Sequence, residues 1–112
     1  MKDRLLIIGA SGHGKVVADI AIKMKNWQTI AFLDDNEELN DPLGLQVIGK
    51  SADGIKYVDD SDIFVAVGNN ATREEIMNGL ERAGASIPVL VHPNVVLGEQ
   101  VELGAGTVVM AG

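Results

Sequence analysis

The sequence predicts an α/β domain in which a parallel β-sheet is flanked by helices. Three observations carry that prediction. The apolar run Leu5-Leu6-Ile7-Ile8 passes directly into a glycine-rich turn, Gly9-Ala10-Ser11-Gly12-His13-Gly14, and from Lys15 apolar residues recur at helical spacing. A second apolar run, Thr29-Ile30-Ala31-Phe32-Leu33, ends in Asp34-Asp35-Asn36. A third, Asp62-Ile63-Phe64-Val65-Ala66-Val67, ends in Gly68-Asn69-Asn70. Strand, glycine turn, helix and strand make a βαβ unit, and a crossover of that length joins strands that run parallel.

Each element has its own warrant. Leu5–Ile8, with charge before it and Gly9 after it, has the unbroken apolar character of a central strand buried on both faces. In the helix that follows, Val16, Val17, Ile20, Ala21, Met24 and Trp27 form the apolar stripe, and Asp19, Lys23, Lys25 and Asn26 the polar face. Residues 36–60 mix turn signals with short apolar pieces, which predicts a loop, a small strand at Val47-Ile48 and a short helix or turn. Thr72 with Glu75 three residues on reads as a capping box that opens a second helix, with Ile76, Leu80 and Ala83 as its buried stripe. Gly84 stands where a left-handed C-terminal cap is expected, and Ser86–Val91 reads as a returning fourth strand.

Beyond His92-Pro93 the texture changes. Leu97-Gly98 is followed six residues later by Leu103-Gly104, and Val109 lies six residues beyond Leu103. An aliphatic residue at a fixed slot of a six-residue period, with a small residue beside it, is the pattern of a hexapeptide-repeat, left-handed parallel β-helix. A single β-hairpin or edge strand with a glycine-rich turn accounts for the same residues. The division expected is 1–91 for the α/β domain and 92–112 for the first coils of the β-helix. Because the repeat stops in mid-period at Met110-Ala111-Gly112, a truncated chain is expected.

Composition sets outer limits. At 112 residues the chain fits one domain of ordinary size, able to bury roughly two thirds of the surface its unfolded form exposes. Its 46% hydrophobic and 22% charged residues describe a globular protein, and with 4% aromatics the core must be aliphatic. Nine Lys and Arg against 16 Asp and Glu give a formal charge of -7, which argues against a nucleic-acid surface because phosphate neutralisation needs clustered cations. Without cysteine there is neither a disulfide framework nor a thiolate zinc site, and His13 and His92 alone are too few for a metal cage. The apolar run before the first glycine is too short for a signal-peptide core or a membrane span, so no membrane and a cytoplasmic location are expected.

The glycine loop admits three readings. Gly9 and Gly14-Lys15 have the spacing of an ATP-binding P-loop as far as the lysine, but Val16 stands where a magnesium-binding Ser or Thr belongs. The dinucleotide fingerprint needs a different glycine order, although the strand before, the helix after and Asp34 twenty residues beyond Gly14 suit it. The third reading is a Rossmann-like turn without dinucleotide spacing, whose N–H groups and helix N-terminus suit a phosphate. Each residue also has a purely structural role open to it: turn glycines, solvated aspartates, a histidine that caps a helix. What argues for a site is that Gly9–Gly14, Asp34-Asp35 and Gly68-Asn69-Asn70 all follow strands, and so share the carboxyl edge of a parallel sheet, where open α/β sheets bind ligands.

Taken in order, "IIGASGHGKVVADIA", "FLDDN", "VAVGNN" with "TREE", and "VHPNVVLGEQVELGAG" resemble the bacterial sugar acyltransferases that N-acetylate UDP-4-amino-sugars in bacillosamine synthesis or O-acetylate sialic acids. The resemblance covers essentially the whole chain. It implies a Rossmann-like nucleotide-sugar domain followed by a left-handed β-helix that binds acetyl-CoA as co-substrate. By position, the family's UDP-sugar contacts fall on Ser11, Gly12, His13, Asp34, Asp35 and Gly68. The resemblance also implies a homotrimer for the whole enzyme, while the chain itself is expected to be monomeric or weakly associated. The family's general base, a histidine paired with an acid deeper in the β-helix, has no counterpart here, and His92 reads as structural, so no catalytic residue is expected in this chain. Two rivals remain: a non-enzymatic Rossmann-like sensor of a nucleotide or nucleotide-sugar, and a nicotinamide-dependent oxidoreductase, which the glycine order and the lack of a substrate domain disfavour.

Overall fold

A computed structural model describes residues 2–10, 12–36 and 45–91, and the backbone of 108–109. Ser11, His92 and most of the six-residue pattern lie outside the described residues. Four parallel strands, β1 (Arg4–Ile8), β2 (Thr29–Leu33), β3 (Val47–Gly49) and β4 (Ser61–Val65), form one sheet in the order β3-β2-β1-β4. The α/β, Rossmann-like expectation is met. The chain steps outward from β1 to β3 and then crosses to the other side of β1, so the order reverses between β1 and β4.

Both faces of the sheet are covered, which is why its central strands are apolar throughout. Helix α1 (Gly12–Met24) packs on one face, where Val17, Ala18, Ile20 and Ala21 meet Leu5, Ile7, Phe32 and Phe64. A 3-10 helix (Ser51–Tyr57) and α2 (Asn70–Arg82) cover the other, with Leu80 buried against Leu6, Ile8, Leu33 and Ile63. Leu5 to Ile8 have no exposed surface.

Several boundaries differ from expectation. Helix α1 begins at Gly12, inside the glycine loop, and not at Lys15. Val16 faces outward at 43% exposure and does not join the buried stripe. The helix ends before Trp27, because Lys25 takes a left-handed conformation with φ of 59°. Trp27 nevertheless reaches the core from the connection and donates its Nε1–H to the buried carboxylate of Asp62 at 2.8 Å.

At α2 the cap is Asn69, whose side chain accepts the Thr72 N–H at 3.0 Å, so Thr72 lies inside the first turn. The C-terminal cap is as expected. Gly84 has φ of 86°, its N–H bonds Glu81 O at 3.0 Å, and the next N–H, that of Ala85, bonds Leu80 O at 2.9 Å, the paired bonds of a Schellman motif.

The fourth strand expected over Ser86–Val91 is largely absent from the sheet. Ser86 makes one parallel bridge to Asp62 and the chain then leaves. Pro88, lacking an N–H, cannot extend that ladder. Leu90–Val91 instead forms β5, which pairs in parallel with β6 (Val108–Val109).

Candidate functional site

The reversal of strand order opens a crevice at the carboxyl edge of β1 and β4, the place where open α/β sheets take ligands. The backbone there is tightly built. Gly9 holds φ of 105°, and a Cβ on it would come within 2.7 Å of Ala66 O. A Cβ on Gly14 would overlap the carbonyl oxygen of Gly9, so only glycine lets α1 sit this close to the end of β1. Gly9 N–H bonds Leu33 O and Ala66 N–H bonds Ile8 O, each at 2.8 Å. These bonds lock the ends of β1, β2 and β4 together.

The acidic pair after β2 joins this scaffold. Asp34 accepts the Ala10 N–H through Oδ2 and the Asn36 N–H through Oδ1, both at 2.8 Å. Asp35 accepts the Ser51 N–H through Oδ1 at 3.0 Å, which ties the end of β2 to the start of the 3-10 helix. Asp34 therefore holds the glycine loop from below, and Asp35 holds the helix that walls the crevice.

The loop's anion-binding capacity is redistributed accordingly. The N–H groups of Gly9 and Ala10 are engaged within the protein, so the donors suited to a phosphate are those of the first turn of α1, at Gly12 and His13, which have no intrahelical acceptor. Gly12, His13 and Lys15 are exposed at that helix end.

A cleft of about 320 Å³ follows, lined by Gly9, Asp34, Asp35, Ala66, Gly68 and Thr72 among others. Of the sequence-selected residues, Asp34, Asp35 and Gly68 thus meet around one space, with Gly12 and His13 at the adjoining helix end. Gly68, like Gly12, has no heavy atom of the described residues within 4 Å of the position a Cβ would take. Neither glycine is required by packing among the described residues. A second cleft, of about 430 Å³, opens between the 3-10 helix and α2, and Asp35, Ser51, Thr72 and Ile76 line both.

Ser51, Ile55, Glu75 and Gly79, which line this second cleft, were not legible as site residues. They come from helices brought together by packing on the sheet. The one available signal was Gly79, a glycine inside a helical pattern. Among the described residues no group of His, Asp and Glu is arranged to hold a metal ion, and no helix is long and apolar enough to cross a membrane.

Comparison with known proteins bears on this geometry. A family model for the PglD N-terminal domain matches residues 4–80. A UDP-N-acetylbacillosamine N-acetyltransferase from Bacillus subtilis (strain 168) is 28% identical over 108 residues, which is 94% of this chain and 50% of that protein. The acetyltransferase domain of PglB from Neisseria gonorrhoeae, solved with acetyl coenzyme A, superposes with a TM-score of 0.89 at 38% identity over 99% of this chain and 54% of its own. PerB from Caulobacter crescentus, solved with CoA and GDP-perosamine, gives 0.82 at 31% identity over 96% of this chain and 51% of its own. The chain spans about half the length of these relatives.

Proposed function

The chain belongs to the PglD N-terminal domain family, and on that footing we propose that it is the nucleotide-sugar-binding part of an acetyl-CoA-dependent sugar acetyltransferase serving bacterial cell-surface glycan or glycoprotein sugar synthesis. The observation that carries the proposal is the meeting of Gly9, Asp34, Asp35 and Gly68 around one cleft at the point where the strand order reverses. In this reading the diphosphate lies at the first turn of α1, where Ser11, Gly12 and His13 approach it. The ribose lies by Asp34 and Asp35, whose carboxylates keep lone pairs free for hydroxyl donors. Gly68 lets the backbone approach closely.

The sugar's amine or hydroxyl then attacks the thioester carbonyl of acetyl-CoA, a general base takes its proton, and the C–S bond breaks so that coenzyme A leaves as the thiol. That base is assigned to no residue of this chain. Residues 92–112 are read as the opening of a left-handed β-helix, in which the acetyl-CoA site and the contacts of a homotrimer reside. The parallel pairing of Leu90 with Val108, eighteen residues apart, supports this, since three six-residue steps make one turn of a triangular coil. The chain on its own should be monomeric or weakly associated, which a sedimentation measurement checks.

Uridine is the favoured nucleoside, on the likeness to the Bacillus subtilis relative. Calorimetric titration of the chain with UDP, a UDP-amino-sugar, GDP, ATP with magnesium, and NAD at one salt concentration tests the reading. Selective binding of the uridine ligands is expected. Preference for GDP would keep the reading and change the base, whereas binding of ATP or NAD alone, or of none, would overturn it.

A further inference from the structure

We propose that residues 85–90 are a clamp and not a linker, and that Leu90 is a positioning residue that fixes β5 against α1. This rests on the nucleotide-sugar reading above and adds to it how the bound sugar is held relative to the segment that follows the sheet.

β4 is the last strand of the sheet, and an edge strand ordinarily presents a row of unpaired backbone groups to solvent. Here all five of its residues are buried. The cover is the chain that leaves α2. Ala85 N–H bonds Leu80 O at 2.9 Å, and Ser86 O accepts the Ile63 N–H at 3.0 Å. Ala85 and Ile87 pack against the core on the α2 side. Pro88 denies the ladder a further donor, and Leu90, with no exposed surface, enters the core on the α1 side. The chain thus passes round the edge of the sheet with a side chain in each core. A linker between parts that move independently is exposed and makes few contacts, and this segment is neither.

The consequence falls on α1. Leu90 shares its cluster with Val17, Ala18 and Ala21, so β5 packs on the helix whose first turn carries the donors assigned to the diphosphate. Ala18 lies about 9 Å along the helix axis from Gly12. Leu90 is also the residue whose backbone pairs with Val108. Its side chain belongs to the α/β core and its backbone to the parallel pair that opens the C-terminal segment. A ligand held at Gly12 and His13 is thereby set at one distance and angle from β5, and the two parts turn together. Holding reactants in one geometry is itself a source of rate, and a misplacement of about 1 Å can cost about a hundredfold.

Hydrogen exchange, amide dipolar couplings and UDP calorimetry on the chain and its Leu90→Ala and Leu90→Met variants test the clamp. The Ile63 N–H, whose acceptor lies on the clamp, should be protected to within about tenfold of the β1 amides in the unsubstituted chain. The couplings of Leu90, Val91, Val108 and Val109 should fit the alignment obtained from residues 4–80, with and without UDP. Leu90→Ala should lower the protection of Ile63 by more than that of the β1 amides, leave UDP affinity within about twofold, and be rescued by Leu90→Met, which conserves volume. In the whole acetyltransferase that carries the chain, Leu90→Ala should lower kcat by about tenfold or more with KM for the nucleotide-sugar within about threefold.

If Leu90→Ala does not fold, Leu90→Val carries the kinetic measurement, and the exchange and couplings of the unsubstituted chain decide the clamp. Rapid local exchange of Ile63, or couplings that need a second alignment in the unsubstituted chain, would overturn the clamp. A normal kcat in the substituted enzyme would overturn the positioning role. Failure of the unsubstituted chain to bind UDP while these amides behave as one body would overturn the nucleotide-sugar reading and leave the clamp standing.

Discussion

The carboxylate of Asp34, at the end of β2, accepts the backbone N–H of Ala10 at 2.8 Å, so the residue after one strand holds the loop that follows its neighbour. The same carboxylate fixes its own turn through Asn36. A half-buried hydrogen bond to a charged acceptor is worth about 1.5–3 kcal/mol. Asp34→Ala should therefore destabilise the domain by about 2 kcal/mol and also weaken UDP binding, because the loop loses its support along with any direct contact. Denaturant unfolding and calorimetry on the same variant check the two halves. Unchanged stability would mean that the Ala10 bond has no structural weight, and unchanged affinity would remove Asp34 from the site.

The glycines of the loop divide by what surrounds them. A Cβ on Gly14 would overlap Gly9 O, whereas one on Gly12 meets nothing within 4 Å among the described residues. Gly14→Ala should cost about 3 kcal/mol, since backbone must move to admit the methyl group. Gly12→Ala should change stability by no more than about 0.5 kcal/mol. If Gly12→Ala nevertheless weakens UDP binding, the bare backbone there serves the ligand. Equal destabilisation by both changes would contradict this division.

Trp27 is the chain's single tryptophan, and it is buried. Its Nε1–H meets Asp62 Oδ2, which also accepts the Lys2 N–H at 3.3 Å, while Asp62 Oδ1 has no partner among the described residues. Trp27→Phe keeps most of the apolar area but strips a donor from a carboxylate only 1% exposed. Leaving a buried charged acceptor short of a partner costs about 1–3 kcal/mol or more. The expected result is a loss of stability in that range by denaturant unfolding. A variant as stable as the unsubstituted chain would show that the indole's packing, and not its hydrogen bond, is what matters.

The sheet was legible in the sequence because its strands are buried on both faces and read as unbroken apolar runs. Leu5–Ile8 and Thr29–Leu33 lie where the pattern puts them, and the strand expected over Asp62–Val67 runs over Ser61–Val65, two residues shorter at its end. Boundaries governed by competing local signals were not. Asn69 and Thr72 both offer a capping side chain, and the choice of Asn69 follows from where the chain leaves β4. Lys25 ends α1 in a conformation more usual for glycine, so the Met24-to-Trp27 spacing mimics a further helical turn. The three loops of the candidate site were legible for a simple reason: parallel strands bring all their C-terminal ends to one edge. Ser51, Glu75 and Gly79 were not, because their meeting depends on how two helices pack across the sheet.

Two surface carboxylates give the stability a defined acid dependence. Asp60 lies below its ordinary value of 3.8, first because Ser61 Oγ–H donates to it at 2.8 Å and then because Arg4 bonds it at 2.9 Å. Asp53 is lowered chiefly by the backbone N–H of Lys50, at 2.9 Å, and next by Lys56. A carboxylate whose folded value is depressed stabilises the fold above its unfolded value, and that contribution is lost as pH falls through the folded value. Stability should therefore be level with respect to these two groups above about pH 5 and decline below the ordinary value, with the loss complete only beneath the lowered ones. Asp53→Asn and Asp60→Asn should each flatten that decline while changing little at neutral pH, because both groups are solvent-screened. Urea unfolding of the three proteins between pH 7 and pH 2.5 measures it. An acid slope identical in all three would mean that carboxylates other than these govern acid unfolding.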